Sequence, residues 1–190
     1  MKKLIVVLCL SFLPAQSFAE DTKRDNFYGS ISGLVVVVED STIKVDGVDA
    51  GELELDTGLG LAVALGKKFG NDFRGEIEYT HRRNEHADME DIYAHTYTAM
   101  FNLVYDIEND SSITPYLGGG LGIGWLEGAD GSEFAYQFLA GVGYDVTESV
   151  DLIIGYRYAG MTDADWDVGT MKYSASIDTH NFELGVRFAF

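Results

Sequence analysis

The sequence predicts an all-β protein, an eight-stranded antiparallel up-and-down barrel that crosses a membrane. Three observations carry that expectation. From residue 27 onward, bulky apolar side chains alternate with small or polar ones in eight segments of roughly ten to fourteen residues. The breaks between segments are short and long by turns, which is the pattern of an even-stranded outer-membrane barrel. The last segment runs to an aromatic residue, Phe190. Termini usually fray in water, but a strand can end this way when it pairs with the first strand of a closed sheet.

The N-terminal element comes first. Met1-Lys2-Lys3, an apolar stretch from Leu4 to Leu13, and small residues at Ser17 and Ala19 read as a secretory signal peptide, residues 1–19, cut before Glu20. The barrel domain is then 20–190. The apolar stretch is too short to span a bilayer as a helix. Cys9, the only cysteine, lies inside it, so the mature chain of 171 residues has no disulfide or thiolate site. Loss of Lys2 and Lys3 takes the net charge from −18 to −20. A chain this acidic is not expected to bind nucleic acid.

The first strand, from Phe27 to Val38, has the least defined register, because the run Val35 to Val38 breaks alternation. In the second, Leu59, Leu61, Val63 and Leu65 alternate with glycine and alanine. The third sets Phe73, Ile77 and Tyr79 against Arg74, Glu76, Glu78, Thr80 and Arg82. The fourth sets Tyr97, Ala99, Phe101, Leu103 and Tyr105 against Thr98, Asn102 and Asp106. In the fifth, Leu117, Leu121, Ile123 and Trp125 oppose Gly118, Gly120, Gly122 and Gly124. The sixth carries Phe134, Tyr136, Phe138, Val142 and Tyr144 on its bulky face, and the seventh Leu152, Ile154, Tyr156 and Tyr158. The eighth carries Phe182, Leu184, Val186, Phe188 and Phe190. The short breaks fall at 70–72, 108–112 and 147–149, the longer ones at 39–56, 84–94, 127–133 and 161–178.

Alternation alone does not say which face meets lipid, since a water-soluble barrel puts its bulky residues inside. Two features favour the inverted form. The non-bulky face is rich in glycine and alanine, which suits the narrow interior of eight strands and would weaken a water-facing sheet. Aromatics also gather at the strand ends: Phe69, Phe73, Tyr105, Tyr116, Tyr144, Phe188 and Phe190 toward the short turns, and Tyr79, Tyr97, Trp125, Phe134, Tyr136 and Tyr158 toward the long loops. Two such girdles mark lipid–water interfaces.

The inner face then encloses Arg74, Arg82, Arg157 and Arg187 with Glu76, Glu78 and Glu183. Charges so enclosed are expected to pair in a network that fills the lumen, because unpaired burial costs several kcal/mol. The long loops hold eighteen acids against two lysines. They are expected to be solvated; the sharper reading is divalent-cation bridging to lipopolysaccharide, or docking of a basic surface ligand.

With this pattern in hand, the chain resembles the small eight-stranded outer-membrane protein family, which includes the transmembrane domain of outer-membrane protein A and the opacity-type, porin-like surface proteins. Thr114-Pro-Tyr-Leu-Gly-Gly-Gly-Leu-Gly-Ile-Gly124, Gly155-Tyr-Arg-Tyr158 and Glu183-Leu-Gly-Val-Arg-Phe188 carry the likeness. Glu183, Gly185, Phe188 and Phe190 fill the positions of that family's C-terminal assembly signal. The resemblance implies insertion by the barrel-assembly machinery, contact with outer-membrane lipid and lipopolysaccharide, and exposure at the surface of a Gram-negative cell, with both termini periplasmic.

Catalytic chemistry finds little footing. His81, His95 and His180 lie at the loop-side ends of strands, where a lipid A deacylase would work, but no strand-end serine stands ready as nucleophile; Ser174 and Ser176 lie in a loop. Asp163, Asp165 and Asp167 alternate as in a calcium loop, with the glycine one place late and Ser174 where the closing glutamate belongs, so they are weak metal candidates. No cofactor is expected. The sequence therefore points to a non-enzymatic barrel with a structural or surface-interaction role through acidic loops. A narrow porin for small solutes is the second reading and a lipid-modifying enzyme the third.

Overall fold

The computed structural model describes residues 26–39, 41–45, 48–53, 56–70, 72–85, 93–128, 131–168 and 171–190. The signal peptide expected at 1–19 lies outside them. Ten strands follow in chain order: β1 (Phe27–Val38), β2 (Ser41–Val45), β3 (Val48–Leu53), β4 (Gly58–Phe69), β5 (Phe73–Glu85), β6 (Tyr93–Asp106), β7 (Ile113–Leu126), β8 (Glu133–Thr147), β9 (Val150–Val168) and β10 (Met171–Ala189). No helix occurs among the described residues.

Eight of these strands close a barrel in the order β1-β4-β5-β6-β7-β8-β9-β10, each antiparallel to its neighbour, with β10 returning to β1. The closing seam runs from Tyr28↔Ala189 to Val38↔Thr179. At its end the Phe190 amide donates to the Phe27 carbonyl at 3.0 Å. Closure gives each of the eight barrel strands a neighbour on both sides, which an antiparallel sheet in hydrocarbon requires.

The turns are tight on the side that holds Asn26 and Phe190. Gly70 bends the β4–β5 turn with φ of 69°, a left-handed conformation that glycine adopts without steric cost. Between β6 and β7 the Asn109 side chain replaces backbone pairing: its carbonyl accepts from the Ser111 amide at 2.8 Å and its amide donates to the Ile113 carbonyl at 2.9 Å.

On the opposite side the structure corrects two expected loops. The stretch 39–56 contains the hairpin β2–β3, and 161–178 is largely strand. β9 and β10 run on past the barrel wall as a two-stranded ribbon to the pairing Met171↔Val168, and β2 joins the ribbon through Tyr173↔Val45 and Ser174↔Lys44. Alternating Thr, Trp, Tyr and Ile residues in these stretches have high strand propensity, and frequent aspartates masked that signal in the sequence.

Alternation holds in β1 through its apolar end. Val35 and Val37 point outward and Val36 is buried, so the valine run keeps the period of two.

Candidate functional site

The outward face is apolar. Ile31, Leu61, Ile77, Phe101, Leu121, Phe138, Ile154 and Leu184 all stand exposed on it. The inward face is charged: Arg74, Glu76, Glu78, Arg82, Arg157, Glu183 and Arg187 are each at most 7% exposed. This is the inverse of a water-soluble barrel and fits a wall immersed in hydrocarbon.

Strand parity brings the seven charged residues into the lumen, and the structure joins six of them in three groups. Near the short turns, Arg74 lies 2.5 Å from Glu76 and 3.0 Å from Asp106, while the Tyr28 hydroxyl donates to Glu76 at 2.7 Å. At the same level Arg187 pairs with Asp151 at 2.7 Å. At mid-height Arg157 grips Glu183 through two bonds, 2.8 and 2.6 Å, and also bonds Glu78. Gln137 and Asn102 complete this layer: the Gln137 amide donates to Asn102 at 2.7 Å and to Glu78 at 3.2 Å.

Arg82 departs from the expected pairing. Among the described residues its hydrogen bonds go to neutral groups, Asn181 at 2.9 Å and Thr98 at 3.2 Å. Its height on β5 sets it one layer outward of the carboxylates, opposite a polar but uncharged stretch of β10. The sequence alone did not single out Asp106 and Asp151 as ion-pair members, nor Tyr28, Asn102, Gln137 and Asn181 as hydrogen-bond partners of Glu76, Glu78 and Arg82. Their inward parity was the available signal.

The lumen is less uniformly small than its glycines suggested. Val104, Tyr116, Leu139 and Ile153 cluster on the wall from β6 to β9, and Met161, Ile177, Val38 and Leu126 pack at the outer end. Tyr116 is thus an interior residue, not part of the short-turn girdle. Leu117 faces lipid, so its neighbour must turn inward, where the Arg74 guanidinium lies 4.9 Å from the Tyr116 ring centroid. Glycines make room for these large groups: a Cβ on Gly66 would collide with the Tyr28 ring.

A vestibule of about 630 Å³ opens at the short-turn end and is bounded inward by Tyr28, Asp106 and Arg187. Beyond the mid-height layer the described residues leave a void of about 20 Å³ beside Arg82 and Gln137, room for about one water molecule. Asn102, Asn181 and Thr80, which span the section between, are fully buried.

The remaining candidates lie on the outer face. His81 Nε2 and His95 Nδ1 are 2.9 Å apart. Their rings are parallel with centroids 5.2 Å apart, so they meet edge to edge through one N–H···N bond. His180 lies between the Tyr156 hydroxyl, 2.5 Å from Nδ1, and Glu39, 2.6 Å from Nε2. The rings of Tyr79, Tyr97 and Trp125 pack nearby, at the level expected of an interfacial belt. Asp163, Asp165 and Asp167 stand on the described backbone of β9, which is an extended ladder rather than a coiled loop; their side chains lie outside the described residues. Of the assembly-signal positions, Glu183 is held by Arg157, Gly185 packs its bare backbone against Ser32 across the seam, and Phe188 and Phe190 are exposed on the outer face.

A closed barrel with an apolar outer belt, aromatic ends and an ion-paired interior is an integral outer-membrane β-barrel. The chain belongs to the outer membrane protein beta-barrel domain family, which it matches over residues 5–190. It is 28% identical to an outer membrane protein of Gluconacetobacter diazotrophicus, an alignment covering 70% of this chain and 46% of that protein. An uncharacterized Brucella abortus protein is 33% identical over 34% of this chain and 30% of its own length. The chain thus spans less than half the length of these relatives.

Among solved structures, Neisserial surface protein A superposes with a TM-score of 0.62 at 24% identity, covering 87% of this chain and 97% of that one. The outer membrane protein OprG of Pseudomonas aeruginosa gives 0.60 at 14% identity, covering 88% and 97%. The outer membrane enzyme PagL gives 0.53 at 13%, covering 85% and 99%. At these identities the likeness is one of fold.

Proposed function

We propose that this protein is a non-enzymatic, sealed barrel of the outer membrane that acts through the acidic elements on its long-loop side. The short turns and both chain ends face the periplasm, and the barrel-assembly machinery inserts it.

The filled mid-section of the lumen carries this reading. Arg157 on β9 reaches the opposite wall through Glu78 and the neighbouring β10 through Glu183, and Asn102 and Gln137 occupy the space beside it. Breaking such pairs without replacing them costs several kcal/mol, so the layer is unsuited to opening for solutes. The histidines support interfacial roles, since His81 is bonded to His95 and His180 to Tyr156 and Glu39. The concentration of acids on the long-loop side favours divalent cations, shared with lipopolysaccharide phosphates, or a basic surface ligand.

Planar-bilayer recording tests the sealed lumen. Purified protein that folds but adds no discrete conductance agrees with the reading. Reproducible single-channel steps, altered by Arg157→Ala, would replace it with the narrow pore.

A further inference from the structure

Two grooves mark the outer face where β1, β4 and β5 adjoin. One, of about 510 Å³, is lined by Ile31, Val63, Leu65, Ile77 and Ala99 and reaches Tyr79. The other, of about 370 Å³, shares Leu65 and Ile77 with the first and ends among Phe27, Lys67, Phe69 and Phe190. They lie end to end on one apolar face, on either side of the cross-strand pair Leu65↔Ile77. Leu65 and Ile77, the shared residues, are 67% and 71% exposed and stand out from the wall. Small residues floor the grooves beside them: Gly29 and Ala99 in the first, and Gly75 in the second, where a Cβ would approach the Phe69 ring at 3.0 Å and the Phe101 ring at 3.5 Å.

A cation stands at the short-turn end of the second groove. The Lys67 ammonium is held 4.7 Å from the Phe27 ring centroid. The other short turns carry exposed acids, Glu108 and Asp110 on one and Asp145 and Glu148 on the other. The β4–β5 turn itself carries Lys67 and Lys68 with one described acid, Asp72. An anion approaching this rim is repelled in the other sectors and attracted in this one. From Val63 to Lys67 is four residues, about 14 Å of strand, which at a barrel tilt of about 40° reaches about 10 Å into the bilayer. The grooves that end at Lys67 thus lie within the leaflet on the short-turn side, whose hydrocarbon is about 15 Å deep.

We propose that this face holds one phospholipid of the leaflet on the short-turn side, with its acyl chains against the two grooves and the Leu65–Ile77 pair between them and its phosphate at Lys67. The proposal rests on the periplasmic orientation of the short turns, which makes that leaflet the phospholipid one. A single basic side chain at a membrane surface is worth about fivefold in the affinity of an anionic headgroup.

The test is native mass spectrometry of the mature protein in detergent, titrated with phosphatidylglycerol, phosphatidylethanolamine or lipid A. Heat-modifiable gel mobility establishes that each variant is folded. The expected result is one retained phospholipid per barrel, phosphatidylglycerol held better than phosphatidylethanolamine. Lys67→Gln should lower phosphatidylglycerol retention about fivefold, and Ala99→Phe, which fills the floor, should lower retention of both phospholipids. Equal retention by wild type and both variants would overturn the site while leaving the orientation intact. Retention of lipid A, rather than phospholipid, that depends on Lys67 would overturn the proposal through its orientation. A dimer without retained lipid would overturn it by assigning the face to a second copy.

Discussion

Arg157 on β9 bonds Glu78 on β5, the strand diametrically across the eight-stranded ring. The two residues lie 79 positions apart in the chain. Neither can make this bond until the sheet has curled far enough to bring β5 and β9 face to face, so the contact belongs to the curved wall as a whole rather than to any hairpin within it. Glu183 on β10 completes the strut from the adjacent strand.

Removing the cation should therefore be costly. Arg157→Met leaves Glu78 and Glu183 buried without their partner and is expected to lower stability by about 3–5 kcal/mol in urea unfolding from detergent or vesicles. Adding Glu78→Gln and Glu183→Gln should recover much of that loss, since the penalty is the uncompensated charge. A single variant as stable as wild type would show that the strut contributes nothing.

Gly66 and Tyr28 should behave as a coupled pair. Gly66→Val drives a side chain into the Tyr28 ring and disturbs its 2.7 Å bond to Glu76. Overpacking of this kind costs about 1–3 kcal/mol. Tyr28→Leu in the same chain makes room, so a double-mutant cycle should give a clear interaction energy. Simple additivity of the two changes would contradict the packing described.

The seam makes a separate prediction about assembly. Deleting Phe190 removes its amide bond to the Phe27 carbonyl and an exposed aromatic at the interface. The fraction of protein reaching the heat-modifiable form in cells should fall, while refolding into lipid vesicles in vitro should change less. Equal losses in both settings would mean that Phe190 serves stability alone and no recognition step.

On the long-loop side, binding of a cationic probe such as polylysine should weaken steeply between about 50 and 200 mM salt, because exposed charges are screened over about 10 Å at 0.1 M. Replacing Glu39, Asp56, Glu127 and Asp178 by their amides should weaken it further. Binding indifferent to salt would point to an apolar contact instead.

Most of the barrel was legible in the sequence because a two-residue period survives wherever one face meets lipid. Even the valine run of β1 obeyed it once Gly58, Gly60 and Ala62 of β4 were set opposite. The lumen was legible by sign but not by partner. Parity placed Arg74, Arg82 and Arg157 inside, yet which carboxylate each meets depends on stagger between strands, which no single strand encodes. Thus Arg74 found Asp106 on the next strand, and Arg82 found Asn181. Tyr116 was misplaced because its position near a strand end outweighed its parity. The ribbon of β9 and β10 was read as a loop because Asp163, Asp165 and Asp167, alternating with Ala164, Trp166 and Val168, resembled a solvated or calcium-like loop, although the same period of two fits a strand beyond the bilayer whose polar face meets water.

The inversion of the two faces is tested most directly by spin labels on a mature chain without cysteine. Single cysteines at Leu61, Phe101 and Leu121, with Ser111 on a short turn as the aqueous control, are labelled in protein reconstituted into vesicles. Collision rates with oxygen and with a water-soluble nickel chelate are then compared. High oxygen and low chelate access at the three strand positions, reversed at Ser111, is the predicted result. Chelate access at Leu61, Phe101 and Leu121 equal to that at Ser111 would contradict it.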